Sequence, residues 1–232
     1  MGHGLEHLRL GAVNIDGVML GDTFSPVIHR FLTSRGRAYT VELERNIFSQ
    51  PRAVAGRLLA ESVGGTMTGE QALEAYFEER ARYVAEHPVR VTEGALELVA
   101  RLRRAGLRTV CYGGLAKDHF DRFLGEHAAL FDGPGYICTD AVRPGLHEIA
   151  TEHFDLKYDE VLVVDDVARV AEEARRLGMP FIGHPSHFEH SFQRQLMREA
   201  GVRHLVDSLH AVDEELLRTV DAQAAAGTVW SA

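Results

Sequence analysis

The sequence predicts an α/β protein with a doubly wound, Rossmann-like parallel sheet and a small inserted helical cap. Three observations favour this fold. Strands alternate with helices in the second part of the chain, an earlier stretch holds only helical patterns, and several strands end in polar residues. Alternation of this kind implies parallel strands joined by right-handed crossovers. We therefore predict a core domain of residues 1–20 and 89–232, interrupted by a cap domain of residues 21–88.

The first strand is followed by a stretch that is helical throughout. "LRLGAVNI" is apolar and rich enough in β-branched residues for a strand buried on both faces. Thr68 and Gln71 have the spacing of a capping box, which marks the start of a helix. Glycines and prolines separate four helical patterns, which are "SPVIHRFLTSRG", "YTVELERNIF", "QPRAVAGRLLAESVG" and "TGEQALEAYFEERARYVAEH".

The rest of the chain alternates strands with helices. "EVLVVDD" is the clearest strand, because four apolar residues run directly into two acids. The helix "ARVAEEARRLG" follows it and ends at a glycine. The other predicted strands are "LRTVCY", "GYICT" and "MPFIGH", and the other predicted helices are "TEGALELVARLRRAG", "AKDHFDRFLGEHAALF" and "PGLHEIATEHF".

Polar or glycine residues stand where three of the predicted strands end. These tips are Asn14-Ile15-Asp16, Gly113-Gly114 and Asp165-Asp166. Ligands of doubly wound sheets bind outside the carboxyl ends of the strands. We therefore expect the three tips to meet in one crevice, with the helical cap above it.

The order of these motifs resembles the haloacid dehalogenase-like hydrolase superfamily, from about Leu8 to Leu209. In that family the first strand ends in Asp-x-Asp-Gly and can be followed by a helical cap. The second strand ends in Ser or Thr, a lysine often precedes a proline, and the fourth strand ends in an acidic cluster. The resemblance implies a Rossmann-like core, Mg²⁺, and hydrolysis of phosphate esters through an aspartyl-phosphate.

Carried over by resemblance, the family's catalytic and metal positions are only partly kept. The nucleophile position falls on Asn14, whereas the general acid/base position falls on Asp16 and is intact. Asp166 matches the metal-binding acid, but Val170 occupies the position of the usual second acid. We expect any Mg²⁺ to be held weakly by Asp166, the Asp16 carbonyl and either Asn14 or Asp165, because two charges are missing.

The phosphate-binding positions are altered as well. The family's lysine falls on Arg143 in "AVRPGLHEI", which keeps the positive charge but presents a planar fork. No small hydroxyl lies at Tyr112 or Gly113, where the family has Ser or Thr. Gly113 and Gly114 could offer backbone N–H groups to an anion, although a plain turn explains the two glycines equally well.

These substitutions leave three functions open. An amide oxygen is a poor nucleophile, so the first is a haloacid dehalogenase-like protein with an impaired phosphatase site that binds a phosphorylated small molecule or acts as a regulatory module. The second is an active Mg²⁺-dependent phosphohydrolase or phosphotransferase on a small phosphorylated metabolite, using Asp16 or a water that it holds. The third is a structural subunit whose cap serves only as an interface, and Tyr76, Phe77 and Tyr83 could be either the core of the cap or its contact surface. A homodimer is among the expected partners.

Composition limits the classes of partner that the protein could bind and the cell compartment in which we expect it. The net charge of −9 and the pI near 5.8 argue against nucleic acid as a partner, and no apolar run is long enough to span a membrane. The N-terminus has acidic and histidine residues where a signal peptide would be apolar. Cys111 and Cys138 lie in strand-like segments, which predicts reduced core thiols in a cytoplasmic protein.

Three of the thirteen histidines are close together in "GHPSHFEH". The spacing of His184, His187 and His190 suggests a transition-metal site at first sight. Pro185 breaks any helix that would align them, and no cysteine is near. A solvated loop cluster is the preferred interpretation.

Overall fold

A parallel sheet organises residues 4–231, the part of the chain that the computed structural model describes. Within these residues six strands form one sheet in the order β3-β2-β1-β4-β5-β6, and every neighbouring pair is parallel. This arrangement confirms the predicted doubly wound fold. The strands are β1 Leu10–Asn14, β2 Arg108–Gly113, β3 Tyr136–Cys138, β4 Val161–Asp165, β5 Phe181–Gly183 and β6 His204–Leu205.

The two central strands are buried on both faces because apolar layers cover each side of the sheet. All residues of β1 and β4 are buried. Val161 and Val163 contact one apolar core, and Leu162 and Val164 contact the other. The strand order changes direction at β1, which lies between β2 and β4. A crevice at the carboxyl end of β1 follows from this reversal.

Helices cover both faces of the sheet, and four of them come between β1 and α5. These four, called the cap helices below, are α1 Ser25–Thr33, α2 Val41–Ile47, α3 Arg52–Ser62 and α4 Gly69–Glu86. The predicted capping box is present at the start of α4, where Gln71 N donates to Thr68 Oγ1 at 3.2 Å and Thr68 N donates to Gln71 Oε1 at 2.9 Å. The other helices are α5 Ala95–Arg104, α6 Lys117–Leu124, α7 Leu146–Glu148, α8 Ala168–Leu177, α9 Gln193–Glu199 and α10 Glu214–Ala225.

The structure differs from the sequence predictions in several details. Cys138 is exposed, because β3 is an edge strand, so the prediction of two core thiols was wrong for this residue; Cys111 is buried. β6 has only two residues, which is too short to give a periodic signal. The helix predicted after Pro144 is a single α-turn that continues as a π-helix at Ile149–His153. Among residues 4–231, no helix has the length and apolar character needed to cross a bilayer.

A buried glutamate joins the cap helices to the rest of the fold. Glu44 of α2 is fully buried, and its carboxylate accepts hydrogen bonds from Ser191 Oγ and from the backbone N–H of Phe192, each at 2.9 Å. Both donors lie just before α9. Burial raises the pKa of Glu44 above its ordinary value of 4.5, against the opposing effect of these hydrogen bonds.

The raised pKa of Glu44 predicts a specific pH dependence of stability. The folded chain holds this proton more tightly than the unfolded chain, so the contribution of Glu44 to stability is present below about pH 4.5 and is lost as pH rises through the raised value. Glu44→Gln removes this titration. We therefore expect the stability of the wild type relative to Glu44→Gln to fall as pH rises, measured by urea unfolding across the acid range.

The control for this experiment is Glu42→Gln, on an exposed position of the same helix. Its stability relative to wild type should change little with pH. A wild-type advantage over Glu44→Gln that grows with pH would show that hydrogen bonding outweighs burial at Glu44 and that its pKa is lowered.

Candidate functional site

A cavity of about 140 Å³ lies between the strand ends and the cap helices. Five of the residues predicted from the sequence line it together and form what we call its polar end: Asn14, Asp16, Gly114, Arg143 and Asp166. Gly113, the sixth site residue predicted from the sequence, does not line the cavity. A Cβ on Gly113 would approach Ile15 Cγ2 to 2.4 Å, so packing between β1 and β2 requires glycine there.

The turn after β1 brings the first tip against the end of β4. Gly17 has a φ of +93°, which favours glycine, and a Cβ on it would lie 2.1 Å from Asp166 Oδ2. The turn is closed by hydrogen bonds from Gly17 N to Leu20 O and from Leu20 N to Ile15 O, both at 2.8 Å. Glycine at position 17 is therefore required by the close approach of Asp166 as well as by the turn.

The side-chain amide of Asn14 joins the two tips. Asn14 Nδ2 donates to Asp166 Oδ1 at 2.8 Å and to the backbone carbonyl of Asp16 at 2.9 Å. Those two oxygens are the ones that the family resemblance assigned to the metal. A carboxylate at position 14 could not make these contacts, because it has no hydrogen to donate.

Asp165, one of the two alternatives for completing the metal site, points away from it. Its Oδ2 accepts a hydrogen bond from the Tyr112 hydroxyl, and its Oδ1 accepts one from the backbone N–H of Val167 at 2.8 Å. Burial raises the pKa of Asp165 to about 6, and burial together with the neighbouring Asp165 charge raises the pKa of Asp166 well above its ordinary value. Both oxygens of Asp165 accept hydrogen bonds from the protein, and Asp165 does not line the cavity, so its carboxylate is directed away from the polar end.

The residues present do not fit Mg²⁺. The ion prefers several oxygen ligands with carboxylate charge in octahedral geometry. Here Asp166 and the Asp16 carbonyl already accept from an amide N–H, Asp165 bonds Tyr112, and Val170 is a buried alkyl side chain on α8. Among residues 4–231, no cluster of three or more His, Cys, Asp or Glu side chains is arranged to hold a metal ion.

Arg143 provides positive charge at the polar end, and a threonine holds it in place. Arg143 Nη1 donates to Thr139 Oγ1 at 3.1 Å, and Thr139 Oγ1 in turn donates to the carbonyl of Gly113 at 3.2 Å. The guanidinium lies over Gly114, where a Cβ would be 3.4 Å from it. Thr139 was missed by the sequence analysis, although a small hydroxyl ending the strand "GYICT" was a usable signal.

Backbone donors accompany this guanidinium. Gly114 and Leu115 both line the cavity, and Tyr136 holds their loop by donating its hydroxyl to the Leu115 carbonyl at 2.6 Å. Between residues 4 and 231, no hydrogen-bond acceptor is paired with the N–H of Gly114 or Leu115. Arg143 makes no hydrogen bond in that range besides the one to Thr139. These donors suit an anion.

Asp16 has a partner that the sequence did not predict. His119 Nε2, on α6, lies 2.9 Å from Asp16 Oδ1, and each side chain is only about a tenth exposed (11% and 10%). An ionised carboxylate only accepts, so Nε2 carries the proton and the other ring nitrogen is a free base when the imidazole is neutral. The pair is separated by 103 residues, which explains why local motifs gave no sign of it.

The rest of the cavity is formed by an apolar wall on the cap side. The wall comprises Phe24, Phe48, Leu59, Leu73, Tyr76 and Phe77. At its edge, Arg52 of α3 forms an ion pair with Asp140 at 3.1 Å, and both residues line the cavity. Tyr76 is buried and Phe77 is partly buried here, so these two side chains belong to the lining of the cavity, and the role of the cap as an interface stays a prediction.

The sequence predicted a solvated loop for the histidine segment after β5, but this segment is only partly exposed to solvent. His184 is buried, and its Nδ1 lies 3.1 Å from the carbonyl of Gly17. His187 and His190 are exposed, and His190 stacks on His29 of α1 with ring centroids 4.3 Å apart. His184 thus stabilises the turn after β1 through its contact with the Gly17 carbonyl.

Comparison with solved structures identifies the fold. The chain is similar to a conserved haloacid dehalogenase-like protein of unknown function from Agrobacterium tumefaciens (TM-score 0.66, 21% identity, 94% of this chain and 99% of the other). It is also similar to a phosphonoacetaldehyde hydrolase-like protein from Oleispira antarctica (0.67, 16%, 98% and 97%) and to a β-phosphoglucomutase from Clostridium difficile (0.68, 11%, 94% and 99%).

Comparison of the sequence with protein families and with curated proteins does not assign the chain to a family. No family model matches the chain, and no curated protein matches it. At 11–21% identity, the three structural likenesses establish the fold alone. The chain therefore has the haloacid dehalogenase-like fold that the order of its strand-end motifs predicted.

The amide of Asn14 predicts the response of the site to Mg²⁺. Asn14→Asp removes the donor to Asp166 and sets two carboxylates against each other, so we expect a loss of about 2 kcal/mol in the free energy of unfolding without metal. Millimolar MgCl₂ should restore much of that loss, because a cation can bridge the new pair. Thermal unfolding with and without MgCl₂ measures both effects.

Asn14→Ala is the matched control, since it removes the amide without adding a charge. It should be destabilised and should not respond to MgCl₂. If MgCl₂ raised the unfolding midpoint of the wild type as much as that of Asn14→Asp, the conclusion that the wild-type residues do not fit Mg²⁺ would be contradicted.

Proposed function

We propose that this chain is a haloacid dehalogenase-like protein with an impaired phosphatase site, which binds a small phosphorylated molecule without hydrolysing it. The observation that carries the proposal is the amide of Asn14, which donates to both Asp166 and the Asp16 carbonyl. One substitution thus affects the attacking group and the metal site together.

The loss of attack follows from the chemistry of the amide. Its oxygen is neutral and its electrons are delocalised, so it is a far weaker nucleophile than a carboxylate. Its nitrogen stabilises Asp166 by hydrogen bonding without any cation. The site therefore stays folded around its acidic residues while lacking the group that would form an aspartyl-phosphate.

Binding of an anion is supported by the donors that remain. Arg143 is held over Gly114 by Thr139, and the same cavity is lined by Gly114 and Leu115, whose N–H groups have no acceptor within residues 4–231. A guanidinium and backbone N–H groups together make charge-assisted hydrogen bonds to phosphoryl oxygens. A guanidinium and backbone N–H groups are sufficient for a protein that binds phosphate without hydrolysing it.

One observation favours a second function, hydrolysis by water without a metal. Asp16 lines the cavity and is hydrogen-bonded to His119, and a carboxylate supported by an imidazole can act as a general base toward water. The Mg²⁺-dependent form of this alternative has less support, because the donor set does not fit the ion. The cytoplasmic location and a homodimer remain predictions from the sequence.

Phosphate binding tests the first part of the proposal. We expect inorganic phosphate to bind the wild type and to bind Arg143→Ala at least about tenfold more weakly, because the guanidinium supplies the positive charge at the polar end. Arg104→Ala, on an exposed position of α5 away from the strand ends, is the control and should bind like wild type. Titration calorimetry gives the constants, and equal affinity of the three proteins would reject Arg143 as the phosphate ligand.

Hydrolysis of a generic aryl phosphate tests the second part. We expect no turnover by the wild type and only slight Mg²⁺-dependent turnover by Asn14→Asp, because a missing donor typically costs about 3 kcal/mol of transition-state stabilisation and Val170 is unchanged. Full activity in Asn14→Asp would mean that the rest of the site is intact. Robust turnover by the wild type that His119→Ala abolishes would favour the hydrolase instead.

A further inference from the structure

We infer that the cavity takes a compact amphipathic anion, with its charged group on Arg143 and an aromatic or branched apolar body against the apolar wall. This inference rests on the proposed function and specifies its ligand class. It separates the ligand from sugar phosphates, whose bodies are polar on every side.

The charge and the apolar surface lie at opposite ends of the cavity. The polar end is carried by the strand tips, and Arg143 is the cation there that has no carboxylate partner among the described residues. The other lining cation, Arg52, is already paired with Asp140. The apolar wall is carried by the cap helices and the residues next to them, and it contains four aromatic rings, contributed by Phe24, Phe48, Tyr76 and Phe77.

The size of the cavity limits the apolar body. Its volume is about 140 Å³. An apolar cavity of about 150 Å³ holds a benzene molecule. The head group occupies the polar end of the same cavity, so the apolar body is no larger than a single ring or a short branched chain.

Two buried hydroxyls indicate how little polarity the body carries. The hydroxyls of Tyr76 and Ser49 are buried in this lining, and neither has a hydrogen-bond partner within residues 4–231. Ser49 has a φ of 55°, in the left-handed region that non-glycine residues seldom adopt. Neither oxygen is exposed in the cavity, so the apolar wall offers a ligand no hydroxyl. A hexose would bring more hydroxyls than the wall can satisfy, each buried at a cost.

The test compares anions that share a head group and differ in the body. Titration calorimetry with phenylphosphonate, methylphosphonate and glucose 6-phosphate separates the contributions. We expect phenylphosphonate to bind about thirtyfold more tightly than methylphosphonate, equivalent to about 2 kcal/mol, and glucose 6-phosphate to bind no better than methylphosphonate. Benzoate serves as a further probe, and whichever of benzoate and phenylphosphonate binds more tightly assigns the head group.

Two variants of α3 locate the body. Ala55 lines the cavity, so Ala55→Phe should fill it and reduce phenylphosphonate affinity to that of methylphosphonate, whose own affinity should not change. Ala53→Phe, on the exposed side of the same helix, is the control and should keep the preference. Circular dichroism and thermal unfolding establish that both variants are folded.

The outcomes distinguish this inference from the proposed function. Equal binding of phenylphosphonate and methylphosphonate, with both weakened by Arg143→Ala, would overturn the apolar body and leave the phosphate-binding proposal standing. Tighter binding of glucose 6-phosphate than of phenylphosphonate would do the same. Phenylphosphonate binding that Arg143→Ala leaves unchanged would overturn the charged end, and with it the proposed function.

Discussion

The hydrogen bonds of the Asn14 amide are the contacts on which the polar end of the cavity depends. They join β1, the Asp16 backbone and Asp166 just beyond β4, at the point where the strand order reverses. Gly17 makes this approach sterically feasible, because any side chain there would collide with Asp166. With a carboxylate at position 14, the same geometry would set like charges together, and a cation or a shared proton would have to offset them.

The neighbouring acids and bases are arranged around that amide. Asp165 turns to Tyr112, and Asp16 pairs with His119. Arg143 is the cation left to face the cavity without a carboxylate partner in the described part of the chain, and Thr139 fixes its position. Each acid is thus partnered inside the protein, which lowers the negative potential that an incoming anion would meet.

The cap helices determine the shape of the ligand-binding space. Glu44 ties α2 to the backbone before α9, and the residues that follow α2 line the cavity, including Phe48 and the strained Ser49. The link therefore fixes one side of the apolar wall relative to the strand ends. A cavity of this kind is preformed, so a ligand need not meet the cost of ordering it.

The sequence by itself determined the fold and the identity of the residues at the strand tips. Periodicity is a local property, so "LRLGAVNI" and "EVLVVDD" could be recognised as buried strands and the stretch from Thr23 to His87 as helical. Parallel strands place their carboxyl ends at one edge, so Asn14, Asp16 and Asp166 could be expected to meet before their distances were known.

Only the tertiary structure decided how those residues are used. The direction of Asp165 depends on Tyr112 of β2, on the other side of β1 in the same sheet, and the partner of Asp16 comes from a helix 103 residues away. The apolar wall is assembled from several helices whose relative positions no local pattern encodes. Side-chain orientation and long-range packing are set by rotamers and crossovers together, so they appear only once the chain is folded.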